Sequence, residues 1–496
     1  MDEISQRLHE VRKYEEISEN RVADEERPAF HLSARTGWMN DPNGFSFYHG
    51  KYHMFYQYHP YDSHWGPMYW GHAVSEDLLH WEYLPAALAP DKPYDKDGCF
   101  SGSAIALADG CQLLMYTGVE KKEQEDGRIY EFQTQCLATG DGLDYKKYKD
   151  NPVIDEKDLP EGFSRHDFRD PKLWKKEDGT YACVIGNRSA DGSGQILLFT
   201  SSDGFSWKYE KVLVENKNRY GKMWECPDFF FLDGQWVLIT SPQDMLPSDF
   251  EYHNGNGTLC LIGDFDEEKN VFTEQKNQSI DYGIDFYAPQ TILMPDGRRV
   301  MIGWMQNWDT CDFRAQHLTW FGQMTLPREL SIKNGRLYQT PIKELEKLRH
   351  SPVKYKDVFF SGDLCLEGIN GRRADLELII RPSEKGVCYR KFALRFAQND
   401  EFWTSLSFHP GDSIIKIDRK FSGSRRAIIH QRRCLVNSEG GKLKLRIILD
   451  RFSAEIFVND GEHVLTITLY TDQAAEGIRF FADGNVQMDV IKYGLA

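Results

Sequence analysis

The sequence contains no long apolar run and no excess of positive charge. None of its segments approaches the roughly 18 consecutive apolar residues that a membrane-spanning helix requires. Acidic residues outnumber basic ones, with 76 Asp and Glu against 60 Lys and Arg, which gives a net charge of −16 at pH 7. Because nucleic acids and anionic membranes are bound through basic surfaces, we expect neither as a partner.

The ten cysteines are scattered, and no two of them form a C-x-x-C pair. This spacing excludes the usual zinc frameworks. Two histidine pairs, His53 with His59 and His64 with His72, are not accompanied by a Cys or carboxylate at ligand spacing. We therefore expect no metal and no cofactor, and most cysteines should be reduced core residues.

The first 29 residues lack the apolar segment of a signal peptide, which favours a cytoplasmic location. Ile4, Leu8, Val11 and Tyr14 recur at helical spacing, so residues 1–29 should contain a short amphipathic helix that lies on the main domain. With 496 residues, the chain is long enough for two domains.

Aromatic residues are abundant and make up 13% of the chain, including 12 Trp and 24 Tyr. Many of them follow the segment WMNDPNG at 38–44, where Asp41 lies among residues that favour turns. Pro42 restricts Asp41 to extended backbone, so we expect a loop that presents its carboxylate at the floor of an aromatic-lined sugar pocket. A hairpin turn at 49–51 should follow. The alternative interpretation is that Asp41 only caps a turn.

Four similar segments recur along the first half of the chain: SEDLLHWEY, TGDGLDYKKY, SSDGFSWKYE and, more weakly, GDFDEEKNVF. Their aspartates, Asp77, Asp141, Asp203 and Asp264, are 64, 62 and 61 residues apart. A nearly constant period filled with short strand patterns indicates a β-propeller with four strands per blade. Chance similarity of surface turns is the alternative.

A second set of motifs precedes these turns with the same period. The motifs are NDPNG at 40–44, FSGSA at 100–104, FRDPK at 168–172, WECPD at 224–228 and FYAPQ at 286–290. Five such motifs predict five blades, each with its motif at the start of the innermost strand. Because innermost strands line the central channel, Asp41, Asp170 and Glu225 should share one site.

Three carboxylates in one pocket cannot all ionise equally. The carboxyl in the driest setting can keep a proton while the others stay anionic, which is the division that glycoside hydrolysis requires. Glu225 is the better acid candidate because Trp224, Cys226 and Pro227 around it solvate poorly. Asp41, on a stiff backbone, is the better nucleophile. Cys226 could instead be a buried packing residue.

These motifs, together with WGPMYWGHAVSEDLLHW at 65–81, resemble the β-fructofuranosidases of glycoside hydrolase family 32. The resemblance implies a retaining hydrolase that removes a terminal β-D-fructofuranosyl residue from sucrose or sucrose 6-phosphate, or alternatively from fructans. It makes Asp41 the nucleophile, Glu225 the acid/base, and Asp170 the residue that binds the fructose hydroxyls and stabilises the transition state. The substrate-binding residues expected on this basis are Trp38, Met39, Asn40, Gln57, Trp65, Phe100, Ser101, Arg169 and Tyr287.

The fold implied by the resemblance is all-β: a five-bladed propeller, here at 30–345, followed by a linker and β-sandwich at 346–496. The segments ADLELIIRP and KLKLRIIL alternate as strands do, and Asn459-Asp460-Gly461 predicts a tight turn between two further strands. No catalytic cluster is visible in this part, so packing or homo-oligomerisation is its expected role.

Some assignments stay open at this point. His253, Arg314 and Tyr287 could border the leaving-group side of the pocket or be ordinary loop and core residues. A non-catalytic sugar-binding propeller would keep the aromatic floor but would not need three carboxylates. A related five-bladed hydrolase or transferase acting on arabinans or fructans would keep the carboxylates and change the rim of the pocket.

Overall fold

The computed structural model describes residues 5–18, 22–123, 127–311, 318–384, 387–423 and 429–496. Over these residues it contains one α-helix, α1 (Gln6–Ser18), and 31 β-strands. Short 3₁₀ helices lie at Asp24–Glu26, Pro93–Asp95, Glu156–Asp158, Lys343–Leu348 and Glu439–Gly441. Within the described ranges, no helix is long and apolar enough to cross a membrane.

Twenty-one strands form the five blades of the predicted propeller. Blade 1 consists of β1 (Gly37–Tyr48), β2 (Lys51–His59), β3 (Tyr69–Ser75), β4 (Glu82–Leu88) and the short β19 (Trp320–Phe321). Blade 2 consists of β5 (Gly98–Ala106), β6 (Gln112–Glu123), β7 (Ile129–Gly140) and β8 (Tyr145–Lys147). Blade 3 consists of β9 (Phe168–Lys175), β10 (Tyr181–Arg188), β11 (Gly194–Ser201) and β12 (Lys208–Glu215). Blade 4 consists of β13 (Trp224–Leu232), β14 (Gln235–Pro242), β15 (Leu259–Asp266) and β16 (Val271–Ser279), and blade 5 of β17 (Tyr287–Leu293), β18 (Arg299–Trp304), β20 (Arg328–Lys333) and β21 (Arg336–Pro341).

The repeated aspartates lie at the outer edge of the blades, where the third strand turns into the fourth. Asp77, Asp141 and Asp203 each accept two backbone N–H groups from the residues two and three positions later. In blade 4 the matching acceptor is not Asp264 but Asp266, the last residue of β15, which accepts the N–H of Lys269. The period seen in the sequence therefore reflects a side-chain-capped turn in each of blades 1 to 4.

The ring is closed by residues from opposite ends of the propeller sequence. Strand β19 pairs in parallel with β1, with Gly37 opposite Trp320, and Ser33 bridges to Gln323. The innermost strands β1, β5, β9, β13 and β17 contact one another around the central channel. The prediction that each motif starts an innermost strand is confirmed.

Each innermost strand carries a break in its pairing register close to its start. The breaks fall between Met39 and Pro42, Phe100 and Gly102, Arg169 and Lys172, Glu225 and Asp228, and Tyr287 and Gln290. A β-bulge bends the strand and redirects its side chains, which is why bulges are common beside active sites. The expected loop at 40–44 is wrong: this segment belongs to β1, and the bulge takes the place of a turn.

Ten strands after the propeller form the predicted β-sandwich. They are β22 (Arg349–Leu364), β23 (Ala374–Pro382), β24 (Lys391–Gln398), β25 (Thr404–His409), β26 (Ile414–Asp418), β27 (Gln431–Leu435), β28 (Leu443–Asp450), β29 (Ser453–Val458), β30 (His463–Thr468) and β31 (Gly477–Leu495). The first part of β31 pairs with β24 and its second part with β23, so this strand joins the two layers. Apolar side chains of both layers form one core. The turn at Asn459 and Asp460 is confirmed, with φ angles of 49° and 59°.

Charged side chains are buried where the propeller meets the sandwich. Arg328 contacts Asp281 at 3.0 Å and Glu455 at 2.6 Å, and all three side chains are inaccessible to solvent. His31 lies between Asp450 at 2.7 Å and Glu455 at 3.0 Å. Because both ring nitrogens of His31 face carboxylates, the imidazole must be protonated to donate to both. Buried charges of this kind are tolerated only when they are paired.

Helix α1 lies on blade 1, as the sequence predicts for its described part. Leu8 and Val11 are buried, and the Glu15 carboxylate accepts the backbone N–H of Ala86 in β4. Ile4 lies outside the described residues. The domain boundaries at 29/30 and 345/346 stay predictions, the second falling inside the 3₁₀ helix Lys343–Leu348.

Candidate active site

A cavity of about 340 Å³ opens at the end of the propeller channel where the innermost strands begin. Its lining residues are Asn40, Asp41, Gln57, Trp65, Phe100, Ser101, Glu131, Gln133, His166, Asp167, Arg169, Asp170, Glu225, Gln243 and Trp308. The structure thus brings the three predicted carboxylates into one cavity, with six of the nine predicted substrate-binding residues. The volume suits a small ligand such as a disaccharide.

Asp41 is held by donors from two neighbouring blades. Asn40 Nδ2 donates to its Oδ1 at 3.0 Å, and Ser101 Oγ donates to its Oδ2 at 2.7 Å. Asn40 is itself fixed by Trp38, whose Nε1 donates to Asn40 Oδ1 at 2.7 Å. The carboxylate therefore has a single orientation, which a nucleophile needs and a flexible turn cap does not.

Asp170 occupies the left-handed backbone region, with a φ of 67°, and lies within the register break of β9 between Arg169 and Lys172. Its Oδ2 accepts the backbone N–H of Cys226 at 2.9 Å, and its own N–H donates to Thr117 Oγ1. Cys226 also has a positive φ, 48°. Such conformations cost about 1–3 kcal/mol each for residues other than glycine and tend to occur at functional sites.

The Glu225 carboxylate contacts polar groups, so the apolar setting expected from its sequence neighbours is wrong. Arg169 donates to Glu225 Oε1 through Nε and Nη2, each at 3.0 Å, and the Tyr287 hydroxyl donates to Oε2 at 2.7 Å. The Trp224 side chain points elsewhere and is buried between blades 3 and 4. Alternation along a strand explains the difference, because sequence neighbours lie on opposite faces.

The Cys226 side chain contacts the two aspartates, Asp41 and Asp170, and not the acid candidate Glu225. Its Sγ lies 3.6 Å from Asp41 Oδ2 and 3.6 Å from Asp170 Oδ2. Burial raises the pKa of the Cys226 thiol far above its usual range, and the adjacent carboxylates raise it further, so the group stays a thiol and donates its proton. A role for Cys226 in tuning Glu225 is therefore not supported.

The electrostatics of the cavity are set by burial and by the crowding of carboxylates. Burial raises the pKa of Asp41, and the charge of Glu225 adds to this, whereas hydrogen bonds from Asn40 and Ser101 oppose it. Burial also raises the pKa of Asp170 to about 7, against the lowering effect of Arg169. The carboxyl groups of Asp41 and Asp170 therefore stay protonated to higher pH than exposed carboxyl groups do. The charge of the site consequently changes with pH in the range where enzymes work.

Three of the predicted substrate-binding residues lie behind the cavity wall. Met39 is fully buried in the apolar core of blade 1, because alternation along β1 points it away from the channel. Trp38 and Tyr287 are also buried. Trp38 donates to Asn40 and stacks on Trp308, and Tyr287 donates to Glu225. Of the residues considered for the leaving-group side, His253 does not line the cavity, and Arg314 lies outside the described residues.

Six lining residues were not found from the sequence. They are Glu131, Gln133, His166, Asp167, Gln243 and Trp308. His166 and Asp167 immediately precede FRDPK, so extending that motif by two residues would have found them. Glu131 and Gln133 lie on β7, the third strand of blade 2. No sequence signal marks these two residues, because they lie on a third strand and outside the motifs of the innermost strands.

Comparison with known proteins agrees with this geometry. Residues 31–341 match the glycosyl hydrolases family 32 N-terminal domain, and residues 344–493 match the glycosyl hydrolases family 32 C terminal domain. A raffinose invertase of Escherichia coli is 37% identical over 93% of this chain and 94% of its own length. A sucrose-6-phosphate hydrolase of the same organism is 35% identical, covering 94% of both chains.

Solved structures show the same similarity. A Bombyx mori GH32 β-fructofuranosidase variant in complex with sucrose superposes with a TM-score of 0.81 at 33% identity, over 99% of both chains. The sucrose-6-phosphate hydrolase of Lactobacillus gasseri gives a TM-score of 0.82 at 29% identity, over 100% of this chain and 97% of that one. The chain is therefore a member of glycosyl hydrolase family 32.

Proposed function

We propose that the protein is a retaining β-fructofuranosidase that releases the terminal fructosyl residue of sucrose through a covalent fructosyl-enzyme. The observation that supports this most strongly is the arrangement of Asp41, Asp170 and Glu225 in one cavity, each with different partners. Glycoside hydrolysis with retention uses one carboxylate as nucleophile and a second carboxyl as acid and then base.

Asp41 is the nucleophile in this proposal. Its Oδ1 and Oδ2 are oriented by Asn40 and Ser101, and these donors favour the anion that must attack the anomeric carbon. As the bond from Asp41 to the fructosyl carbon forms, the glycosidic bond breaks and its oxygen takes a proton from Glu225. Water then attacks the same carbon, gives its proton to Glu225, and releases fructose and free Asp41.

Glu225 must exchange a proton twice in each cycle, and Tyr287 is placed to support both states. Arg169 occupies Oε1 with two N–H donors, so the exchangeable proton is assigned to Oε2. The Tyr287 hydroxyl lies 2.7 Å from Oε2 and 3.0 Å from the carbonyl oxygen of Ser241. It can donate to Glu225 when the carboxylate is anionic and turn to Ser241 when Oε2 carries the proton.

Asp170 is proposed to bind fructose hydroxyls and to stabilise the positive charge that develops on the sugar. Its carboxylate lies beside Asp41, with Cys226 in contact with both. When Asp170 is ionised, its negative charge close to the reacting carbon favours an oxocarbenium-like transition state over the neutral substrate.

The cavity favours a neutral substrate over a phosphorylated one. Among its described lining residues, five carboxylate side chains stand against one guanidinium, that of Arg169, and one imidazole, that of His166. Arg169 is already engaged by Glu225 and Asp167. A phosphate dianion would therefore be repelled, so we propose that sucrose is preferred to sucrose 6-phosphate.

A substrate panel tests this function. We expect fructose release from sucrose, a lower kcat/KM for sucrose 6-phosphate, slower release from inulin, and no product from arabinan. Asp41→Asn and Glu225→Gln should each lower the rate at least ~10³-fold, or about 4 kcal/mol of barrier, with the fold retained. Sugar binding without fructose release by the wild type would instead support a non-catalytic binding protein. The cytoplasmic location and the homo-oligomeric state stay predictions, which cell fractionation and sedimentation would test.

A further inference from the structure

A second cavity, of about 420 Å³, lies on the outer face of the β-sandwich and is unrelated to the catalytic one. We call it the sandwich groove. It is lined by Asp363, Lys391, Ala393, Arg395, Trp403, Ser405, Ser407, Lys416, Arg479, Phe480 and Phe481. Four of these residues are cationic and one is acidic, in a chain whose net charge is −16.

The groove follows from strand register and residue size. Lys416, Ser407, Ala393, Phe481 and Asp363 lie directly opposite one another across five consecutive strands, β26, β25, β24, β31 and β22. The centre of this row consists of small residues, while long side chains stand at either side. Small residues in the middle of a sheet face leave a depression between the longer ones, because successive side chains on a strand alternate between the two faces.

The cations of the groove are only partly compensated by acidic side chains. Lys416 pairs with Asp418 at 3.2 Å. Arg479 is close enough to Cys365 and Asp363 for both groups to raise its pKa. Lys391 and Arg395 form no ion pair within the described ranges of the chain. The guanidinium of Arg395 lies 4.6 Å above the ring of Trp403, a cation–π contact that favours this position of the guanidinium. Clustered like charges repel one another, so an anion would stabilise this arrangement.

A hydroxyl at the floor of the groove also lacks a partner. Ser407 is only 4% exposed, and its Oγ has no hydrogen-bond partner among the described residues. Its neighbours in sequence, Leu406 and Phe408, point into the sandwich core, so Ser407 points the other way, into the groove. Buried polar groups are nearly always paired, and an unpaired one marks a position that a ligand atom can complete.

We propose that the sandwich groove binds the phosphate monoester of a small sugar. Guanidinium, ammonium and serine hydroxyl donors around one point are the groups that bind phosphate oxygens. The cavity is larger than a phosphate ion requires, and Trp403 and Phe481 give its remaining wall an apolar surface that suits the ring carbons of a sugar. The catalytic cavity, which is acidic, would not retain the same ligand.

Calorimetric titration of the full-length chain tests the proposal. The probes are glucose 6-phosphate, inorganic phosphate and glucose, each titrated into Asp41→Asn protein saturated with sucrose so that the catalytic cavity is occupied. We expect saturable binding of glucose 6-phosphate, weaker binding of inorganic phosphate, and none of glucose. The double variant Arg395→Gln/Arg479→Gln should bind glucose 6-phosphate at least ~10-fold more weakly, since two charge-assisted contacts are lost.

The control is Arg390→Gln, which removes an exposed cation that pairs with Asp483 and does not line the groove. Its affinity for glucose 6-phosphate should equal that of the parent. Hydrolysis of sucrose by the double variant in an otherwise wild-type chain should be unchanged, which also shows that it folds. If it does not fold, the single variant Lys391→Gln takes its place. Absence of saturable binding, binding of glucose as tight as that of its phosphate, or equal affinity in the groove variant would overturn the proposal.

Discussion

The Ser101 hydroxyl controls how readily the catalytic carboxylate of Asp41 loses its proton. Ser101 Oγ donates to Asp41 Oδ2 at 2.7 Å inside a buried site. A donor favours the anion, so this hydrogen bond lowers the pKa of Asp41 against the raising effect of burial. The variant Ser101→Ala removes the donor and leaves burial in place. The pKa of Asp41 should therefore rise.

The size of the effect follows from the strength of the bond. A hydrogen bond to a charged group contributes about 1.5–3 kcal/mol, and 1.36 kcal/mol corresponds to one pKa unit. Because the Asn40 contact remains, we expect the low end of that range. Nucleophilic attack needs ionised Asp41, so the acid limb of the profile of kcat/KM against pH should move up by about one pH unit.

The assay is initial-rate hydrolysis of sucrose at about ten pH values for wild type and variant. The matched control is Ser103→Ala, on the same strand two residues away, whose Oγ donates to the carbonyl oxygen of Pro171 and does not touch Asp41. That variant should be less stable but should keep the wild-type acid limb. An unmoved limb in folded Ser101→Ala, or an equal movement in both variants, would refute the reasoning.

Two further predictions concern proton exchange and the domain interface. Tyr287→Phe should lower kcat at least ~10-fold with the fold intact, because Glu225 loses a hydrogen-bond donor. Burial raises the pKa of Tyr287 far above its usual range, so the hydroxyl keeps its proton for this bond. Wild-type kcat in this variant would remove Tyr287 from the mechanism. Burial alone would lower the pKa of His31, but hydrogen bonds to Asp450 and Glu455 raise it to about 9. A raised pKa contributes stability that is present in full below about pH 6.5 and lost as the pH rises through about 9. The free energy of unfolding of His31→Gln should therefore lie about 3 kcal/mol below that of the wild type at pH 6, with a smaller difference at pH 10. Equal differences at the two pH values in denaturant titrations would contradict this.

The blade architecture could be predicted because the first four blades repeat one kind of local interaction. Asp77, Asp141 and Asp203 cap their turns with the residues next to them in the chain, so the signal lies within a few residues and recurs with the blade. The inner-strand motifs were equally visible. Tight turns such as Asn459-Asp460 are also local, since both residues tolerate a positive φ.

The backbone of the site was harder to predict, because turn-forming residues there occur inside strands. Pro171, Pro227 and Pro289 each fall within the break in register of their innermost strand. Proline cannot donate to a neighbouring strand, so it is tolerated at a bulge and not in a regular ladder. A motif rich in Asp, Pro and Gly therefore predicts a loop at Asp41, although the same composition suits the bulged strand that the structure contains.

The partners of each carboxylate depend on contacts that span blades, and sequence neighbours are a poor guide to them. Arg169 reaches Glu225 from the adjacent blade, and Tyr287 reaches it from the blade on the other side. The environment of Glu225 is therefore polar even though Trp224 and Pro227 flank it in the chain. For the same reason Cys226, which follows Glu225, contacts the two aspartates.

The central claim is that Asp41 forms a covalent bond to the fructosyl carbon, and the configuration of the first product tests it most directly. Sucrose carries a β-D-fructofuranosyl residue, and two successive displacements at its anomeric carbon return the β configuration. Proton or carbon NMR during the first minutes of hydrolysis, before the anomers equilibrate, identifies the form released. The account predicts that β-D-fructofuranose appears first. Initial release of the α anomer would mean a single displacement by water and would contradict it.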